Sequence, residues 1–405
     1  MLNTLIRSVF LTSGIVAAML LAVDGAFAQD AEAIHCVDSL DKLKLSLNEQ
    51  GDRAKVIRLA PGPYPLSDPK GIAVPSNTTL LLHEATLVWD TKVAEDGQTF
   101  LLSDVVNVRI VGGSIVGQRD DWDPGTNVAG IRVLGKSRRL CFEDICFSDL
   151  TSNGIGVFGV DEKNPIIDVQ VRSVVTERCC NYYGDYLATP KGPAEGSVRE
   201  DQGGVAFYYV EKWVVSDSLF LKSLSDGTHF YQSHDGLFVD NQVRDSQMGG
   251  YFLEGCERVI ASGNIVSGNG SRGVTIERDS RFCTLNDNVI EFSGREGLWA
   301  PDIAECVVAS NIFRKNGRKD DGERDSEIRL DDGDSYEVQT DAILITDNLF
   351  QTDAHQNSVI HLEGTLGEIV IQGNLFTGET RGLAQKSTGV IHLKDNTGLV
   401  PDSSG

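Results

Sequence analysis

An asparagine that recurs at nearly constant intervals is the feature that most constrains how this chain can fold. Apolar alternation precedes each copy, and a turn, a glycine and another short apolar strand follow it, as in "SGNIVSGNGSRGVTIE". The intervals between successive copies are 23, 24, 23, 37 and 26 residues, and a period of this length is typical of a solenoid. The recurring residues are Asn241, Asn264, Asn288, Asn311, Asn348 and Asn374.

Three short strands and three turns in about 23 residues describe one coil of a parallel β-helix. At one corner of each coil the asparagine side chain is expected to point inward and bind the coils above and below, which lie about 4.8 Å apart. Such a ladder would satisfy backbone groups buried at that corner. Earlier segments such as "NVRIVGGSIVG" and "EKWVVSDSLFL" fit the same coil without the asparagine. We therefore predict an all-β fold made of a single parallel β-helix.

The N-terminal part of the chain is predicted to contain a targeting signal and a cap. Residues 1–28 combine a basic start, an apolar run of about fifteen residues and the cleavage motif "AFA", which indicates a secretory signal peptide rather than a membrane span. We expect export to the periplasm or out of the cell. Residues 29–60 would form the N-terminal cap and entry strand, with an amphipathic helix from Asp38 to Gln50 covering the open first coil. The β-helix would occupy 61–400, followed by a tail at 401–405.

Charge and cysteine usage narrow the possible partners. The formal net charge of −23 argues against a nucleic-acid partner and against binding to anionic membranes, and no later stretch could span a membrane. The eight cysteines show no zinc-type spacing, and no metal site is predicted from them or from the histidines. Cys283 and Cys306 each precede a ladder asparagine by five residues. They are expected to stack in the core, as buried thiols or, alternatively, as a disulfide.

With this repeat the chain resembles the pectin-lyase-like superfamily of right-handed parallel β-helices, whose members mostly act on polysaccharides. "GGSIVGQRDDW" (112–122) is also similar to the G-x-I-D-G-x-G-x-x-W stretch of polygalacturonase-type glycoside hydrolases, although Val116 stands where that family has Asp. The N-T-D, G-H-G and R-I-K motifs of that family and the D-P-H-D signature of alginate epimerases are absent. The resemblance implies the fold, a polysaccharide or oligosaccharide partner, and a monomer or homotrimer, but it assigns no catalytic residue.

Two columns of outward-facing side chains are expected on the strand that follows the glycine of each coil, where this class of fold usually has its groove. In "GVTIE" the side chains of Val274 and Ile276 face the core, so Thr275 and Glu277 face outward. The same register gives the first column as Arg132, Gly156, Ala206, His229, Phe252, Thr275, Trp299, Arg329, His361 and His392. The second column is Leu134, Phe158, Tyr208, Tyr231, Glu254, Glu277, Pro301, Asp331, Glu363 and Lys394.

The candidate site residues come from these columns and from three long turns at 118–129, 179–203 and 314–327. Two glutamates on successive coils place like charges about 5 Å apart, which is unfavourable unless a proton or a cation offsets it, and aromatic rings suit stacking on sugars. The candidate catalytic residues are Glu254, Glu277, Asp331, His229, Tyr231 and Arg329. The candidate substrate-binding residues are Trp299, Trp122, Tyr208, Arg132, Tyr183 and Asp235.

The same residues fit three functions. The first is glycoside hydrolysis without a cofactor, in which one carboxyl group of Glu254 and Glu277 protonates the leaving oxygen and the other activates water or attacks the sugar. The second is a calcium-dependent lyase or C5-epimerase acting on a uronate polymer. There Glu254, Glu277 and Asp331 would hold Ca²⁺, with His229 and Tyr231 as base and acid or Arg329 neutralising the substrate carboxylate. The third is a glycan-binding protein without catalytic activity.

Overall fold

The structure is a computed structural model that describes residues 34–49, 54–122, 126–180, 203–319, 324–333 and 336–400. The predicted signal peptide (1–28) and tail (401–405) lie outside the described residues. Within these ranges the chain forms three long parallel sheets, and each regular coil adds one strand to each sheet in turn. This is the predicted parallel β-helix. No helix in the described ranges is long and apolar enough to span a membrane.

The three sheets are named by the order in which a coil visits them. Sheet 1 contains His35–Val37, Lys55–Leu59, Thr78–Leu81, Val106–Val111, Arg138–Glu143, Ile166–Arg172, Val210–Ser216, His234–Val239, Val259–Ser262, Thr284–Asn286, Val307–Ala309, Ile343–Thr346, Glu368–Gln372 and Val390–Lys394. Sheet 2 contains Gly62–Leu66, Ala85–Trp89, Ser114–Val116, Cys146–Ser148, Val175–Glu177, Leu219–Leu221, Gln242–Arg244, Ile265–Ser267, Val289–Glu291, Ile312–Arg314, Leu349–Thr352 and Leu375–Gly378.

Sheet 3 carries the face on which the groove is expected. It contains Ile72–Ala73, Gly97–Ser103, Val128–Leu134, Ile155–Phe158, Val205–Tyr208, Thr228–Tyr231, Tyr251–Glu254, Val274–Glu277, Leu298–Pro301, Ile328–Asp331, Ile360–Gly364 and Leu383–Ser387. Two short strands, Ser280–Arg281 and Ile303–Ala304, pair at the turn that leads from sheet 3 back to sheet 1. Along the chain, a sheet 3 strand follows a sheet 2 strand and precedes the sheet 1 strand of the next coil. Sheet 3 is therefore the last sheet of each coil.

The asparagine ladder lies at the corner between sheets 1 and 2, as predicted. Asn264 donates from its backbone N–H and from its side-chain amide to the Oδ1 of Asn288, at 2.9 Å in both cases. Its side-chain amide also donates to the carbonyl oxygen of Phe238 in the preceding coil at 2.9 Å. The pattern continues to Asn396, and the interval of 37 residues corresponds to loops inserted on both sides of Ile328–Asp331. The repeated asparagine therefore fixes the coil register.

The N-terminal end is capped by the predicted helix, Leu40–Asn48. The Ser39 side chain accepts a hydrogen bond from the Lys42 N–H at 3.3 Å and begins the helix. Leu43 and Leu47 lie on one face of the helix and are buried against the first coil. Leu45 lies on the other face and is exposed. The helix thus covers apolar residues that an open coil would expose to water.

The cysteine stack agrees with the reduced alternative. Cys283 and Cys306 are buried next to each other in the core as free thiols, with Cys256 one coil earlier. The Cys283 thiol donates to the carbonyl oxygen of Cys256 at 3.5 Å. Hydrogen bonding with Cys306 and burial raise the pKa of Cys283 well above its usual value, so this thiol is not a nucleophile.

Candidate functional site

A cavity of about 480 Å³ opens on the outer face of sheet 3. Its floor consists of neighbouring strands from Val205–Tyr208 to Leu298–Pro301, and its walls are the turns that enter and leave these strands. Of the predicted site residues, the cavity brings together Tyr208, His229, Tyr231, Glu254, Glu277 and Trp299. It also contains Asp226, Arg272, Arg278, Arg295 and Arg324, which were not predicted.

Strand pairing reproduces both predicted columns across the cavity. His229 pairs with Phe252, which pairs with Thr275 and then Trp299. Two residues further along the same strands, Tyr231 pairs with Glu254, which pairs with Glu277. Because neighbouring parallel strands lie about 4.8 Å apart, the two glutamates start from adjacent points on the cavity floor.

The last members of the predicted columns are wrong. His392 and Lys394 lie in Val390–Lys394, which is a strand of sheet 1. The final strand of sheet 3 is Leu383–Ser387, and Ala384 and Lys386 occupy the two outward positions. The "GVIHLK" motif resembles the earlier sheet 3 strands in sequence, but the chain has already passed through sheet 3 at that point.

The Glu254 carboxylate is held by two cations. Its Oε2 lies 3.1 Å from Nε2 of His229, and its Oε1 accepts a hydrogen bond from Nη1 of Arg278. Although burial raises the pKa of Glu254, the hydrogen bonds and charges of His229 and Arg278 outweigh it and lower that pKa below its usual value. Glu254 is therefore a carboxylate at neutral pH.

Glu277 has the opposite protonation preference. Only 5% of the residue is exposed, and burial is the main cause that raises the pKa of its carboxyl group to about 7. The positive charge of Arg278 lowers this pKa, and its Nε lies 3.9 Å from Oε1 of Glu277, too far for a hydrogen bond. The negative charge of Glu254 raises the pKa of Glu277 further. Near neutral pH Glu277 is protonated in a large fraction of the molecules.

Arginines make the cavity locally basic in a chain whose formal net charge is −23. The Arg272 guanidinium stacks 3.9 Å from the ring centroid of Trp299, and its Nε lies 3.4 Å from the fully buried Glu296. The Trp299 indole N–H donates to Asp331 at 3.0 Å. Asp331 therefore holds the edge of the ring, and Arg272 covers one of its faces. The lining also includes Arg278, Arg295 and Arg324.

Three predicted residues of sheet 3 lie outside the cavity lining. Arg329 donates to Asp331 at 2.7 Å and to Glu363 at 2.6 Å, next to Trp299. These residues support the edge of the site and do not line it. Arg132 lies three coils before His229 in the same column.

Trp122 and Asp235 are corrections to the predicted substrate-binding set. Trp122 is buried, packs edge-on against Trp89 with ring centroids 6.4 Å apart, and donates to the Asp90 carbonyl oxygen at 3.1 Å. Its ring is therefore part of the core. Asp235 lies in the sheet 1 strand His234–Val239 and pairs with Arg258 at 2.6 Å, so it faces away from the cavity. Tyr183 lies outside the described residues.

The ligand set of the calcium alternative does not fit a cation. Both oxygens of Glu254 already face cationic groups, and Asp331 is paired with Arg329. A calcium ion would also lie close to the positive charge of Arg278. Across the described ranges, no three or more His, Cys, Asp or Glu side chains cluster in a way that could hold a metal ion.

The residues that the sequence did not indicate come from turns at the ends of the strands. Asp226, Arg272 and Glu296 occupy equivalent positions, two residues before the first residue of three sheet 3 strands. Arg278 directly follows Glu277 and has a φ of 55°, a left-handed turn that ends the strand. The repeated position just before each strand was the sequence signal that could have located Asp226 and Arg272.

The comparisons with known proteins agree with this architecture. Residues 198–397 match the family model described as "Right handed beta helix region". Among solved structures, the chain is similar to the A-module of the mannuronan C-5 epimerase AlgE6 from Azotobacter vinelandii, with 13% identity, a TM-score of 0.62, and coverage of 90% of this chain and 93% of that one.

Two further solved structures have the same fold. The periplasmic alginate epimerase AlgG has 12% identity and a TM-score of 0.51, with coverage of 81% of this chain and 78% of that one. PfbA, a surface adhesin of Streptococcus pneumoniae, has 12% identity and a TM-score of 0.54, with coverage of 88% and 84%. The search of curated proteins found no match. The strand topology, the family model and these structures together identify the chain as a right-handed parallel β-helix protein.

Proposed function

We propose that this protein is a glycoside hydrolase that cleaves an anionic polysaccharide in the sheet 3 cavity. The observation that carries the proposal is the pair Glu254 and Glu277, on adjacent strands of one cavity and in surroundings that move their pKa values apart. Such a separation distinguishes the acid from the base of a two-carboxyl glycosidase. Glu277 would be the acid and Glu254 the carboxylate.

The reaction needs only these two groups and water. Glu277 would give its proton to the glycosidic oxygen as the bond from that oxygen to the anomeric carbon breaks. The Glu254 carboxylate would either attack the anomeric carbon or take a proton from the water that attacks it. In both cases one water is consumed for each bond cleaved, and Glu277 is protonated again at the end of the cycle.

The cavity lining supports an anionic sugar polymer as the substrate. Arg272, Arg295 and Arg324 would pair with carboxylate or other acidic groups on the sugar. Tyr208 and Tyr231, whose ring centroids are 5.3 Å apart, offer aromatic surface for a sugar ring. Alginate epimerases share the fold. Export through the expected signal peptide would bring the protein to such polymers.

The arginines also favour a second candidate, proton abstraction from a uronate by a metal-independent lyase or epimerase. An arginine would neutralise the substrate carboxylate, and Glu254 would be the base. Tyr231 is a poor base at neutral pH, because burial and its contact with Tyr209 raise its pKa to about 12. His229 is already paired on both ring nitrogens.

The mass of the products separates these candidates. The protein from Gln29 onward is incubated with neutral and uronic-acid polysaccharides, with and without a chelator, and the products are analysed by mass spectrometry. We expect fragments of whole sugars plus one water from an acidic polymer, unaffected by the chelator. Fragments lighter by one water would contradict hydrolysis and indicate a lyase. An uncleaved polymer with altered uronate composition would indicate an epimerase, and binding without either change would indicate a glycan-binding protein.

A further inference from the structure

A row of buried ionisable groups lies beneath the Glu254 end of the cavity. Asp226, which is 1% exposed, places Oδ2 3.4 Å from Nδ1 of His229. Nε2 of His229 lies 3.1 Å from Oε2 of Glu254. The other oxygen of Asp226 accepts the N–H of Gly249 at 3.0 Å, which fixes the carboxylate on the turn before the next strand. The row thus begins at the backbone and ends at a cavity carboxylate.

The geometry favours a doubly protonated imidazole. A neutral histidine has one N–H donor and one acceptor nitrogen, whereas both ring nitrogens of His229 face carboxylate oxygens. In the neutral form, one lone pair of the ring would point at a carboxylate oxygen, and only 3% of His229 is exposed to water that could relieve the repulsion. The imidazolium donates on both sides and removes this repulsion.

Within the part of the chain that the structure describes, aromatic side chains cover both faces of the His229 ring, and its nitrogens face Asp226 and Glu254. The ring stacks between Tyr208 and Phe252, with centroid distances of 5.9 and 5.3 Å. Beyond Glu254 lie Arg278, which donates to the other oxygen of that carboxylate, and Glu277 on the next strand. The negative charges of Asp226 and Glu254 are balanced by the two positive charges of the His229 imidazolium and the Arg278 guanidinium. A buried network of charges requires such a balance.

We propose that Asp226 and His229 are positioning residues that keep the Glu254 side chain ionised and oriented toward the substrate. The inference rests on the proposed function, because it assigns Glu254 the role of permanent carboxylate and leaves Glu277 as the proton donor. Asp226 acts through His229, and neither residue needs to touch the sugar. Removal of the Asp226 charge would release the imidazolium proton and withdraw a positive partner from Glu254.

The protonation of His229 can be measured without any substrate. The histidines are labelled with ¹⁵N, and the ring signals of the full-length protein are followed by NMR from pH 5 to pH 10, with His229→Gln used for assignment. Burial lowers the pKa of His229, but its hydrogen bonds to Asp226 and Glu254 outweigh that effect and raise it to about 9. His361, which is buried beside Arg329 and has a lowered pKa, is the internal control. A pKa of His229 at or below 6.5 would overturn the proposal.

Asp226→Asn tests the link from this row to catalysis. We expect the pKa of His229 to fall by at least about one unit, and kcat to fall about 10²-fold with little change in KM, because Glu254 loses its ionised and oriented state. The matched control is Asp302→Asn, which removes another buried carboxylate that accepts a backbone N–H. An unchanged kcat and pH profile in a folded Asp226→Asn protein would contradict the proposal.

The two proposals fail in distinguishable ways. If His229 stays protonated above pH 8 but no polymer is hydrolysed, the buried row exists and the proposed function is wrong. If the protein hydrolyses a polymer while His229 titrates below 6.5, the function stands and the positioning role is wrong. The titration of the unmodified protein decides this point even if Asp226→Asn does not fold.

Discussion

Glu254 and Glu277 begin with identical chemistry, and their neighbours separate them. Glu254 receives hydrogen bonds from two cations, whereas Glu277 is buried and the Nε of Arg278 lies 3.9 Å from its Oε1. A buried carboxyl group without a close cation keeps its proton, and a buried carboxylate with two close cations loses it. At the scale of single residues, the site therefore depends on where Arg278 and His229 direct their donors.

Glu277→Gln is expected to abolish most hydrolysis while the protein stays folded. Glutamine has the same shape but cannot give up a proton, so kcat should fall by about 10²- to 10⁴-fold. The matched control is Glu291→Gln, in sheet 2, which removes a carboxylate that pairs with Arg314 outside the cavity. The measurement is the initial rate of release of reducing ends. Full activity of Glu277→Gln would remove Glu277 from the mechanism.

The same variant has a defined effect on the pH dependence of stability. The pKa of Glu277 is about 7 in the folded protein and about 4.5 as an ordinary value, so the folded state binds the proton more tightly. The contribution of protonated Glu277 to the free energy of unfolding is fully present below pH 4.5 and is lost as pH rises through 7. Glu277→Gln should therefore gain stability relative to the unmodified protein between pH 5 and pH 8, by about 1–3 kcal/mol in urea denaturation.

At the scale of elements, the side chains of the repeated strands could be placed from the sequence, whereas those in the turns could not. Alternation within strands placed residues from Arg132 to His361 correctly on sheet 3, and from Asn241 onward the asparagine ladder also indicated where each coil begins. Asp226 and Arg272 lie in turns, where the direction of a side chain depends on individual backbone angles and does not follow period 2. Trp122 was misplaced for a related reason, because an aromatic residue in a long turn can fold back into the core.

The ladder itself should contribute unequally along its length. Asn288 is buried at its centre, accepts two hydrogen bonds from Asn264 and donates to the Ala261 carbonyl oxygen. Asn288→Ala leaves these groups unsatisfied, so the free energy of unfolding should fall by about 2–4 kcal/mol.

The matched control is Asn396→Ala, at the last rung of the ladder. Asn396 makes equivalent bonds to Asn374, but it is only half-buried, so water can replace them. Its loss should lower the free energy of unfolding by about 1 kcal/mol or less. If urea denaturation gave equal decreases in the free energy of unfolding for the two variants, burial would not determine how much each ladder asparagine contributes to stability.

At the scale of the whole molecule, contacts run mainly between neighbouring coils. Each strand of sheet 3 pairs only with the strand before it and the strand after it. Stability in such a solenoid is approximately a sum of local terms, so a defect at one end should weaken the coils near it and leave distant coils intact. The cavity lies several coils away from the capping helix Leu40–Asn48.

Leu43→Ala should therefore loosen the N-terminal coils without changing activity. Leu43 is the fully buried residue of the capping helix that packs on the first coil, and its truncation should cost about 2–5 kcal/mol locally. In hydrogen exchange followed by mass spectrometry, amides of Lys55–Leu59 should exchange faster, whereas those of Val274–Glu277 should keep their rates. Leu45→Ala, on the exposed face of the same helix, should change neither. Faster exchange at Val274–Glu277 in Leu43→Ala would mean that the β-helix unfolds as one cooperative unit, and the cap would then stabilise the sheet 3 cavity directly.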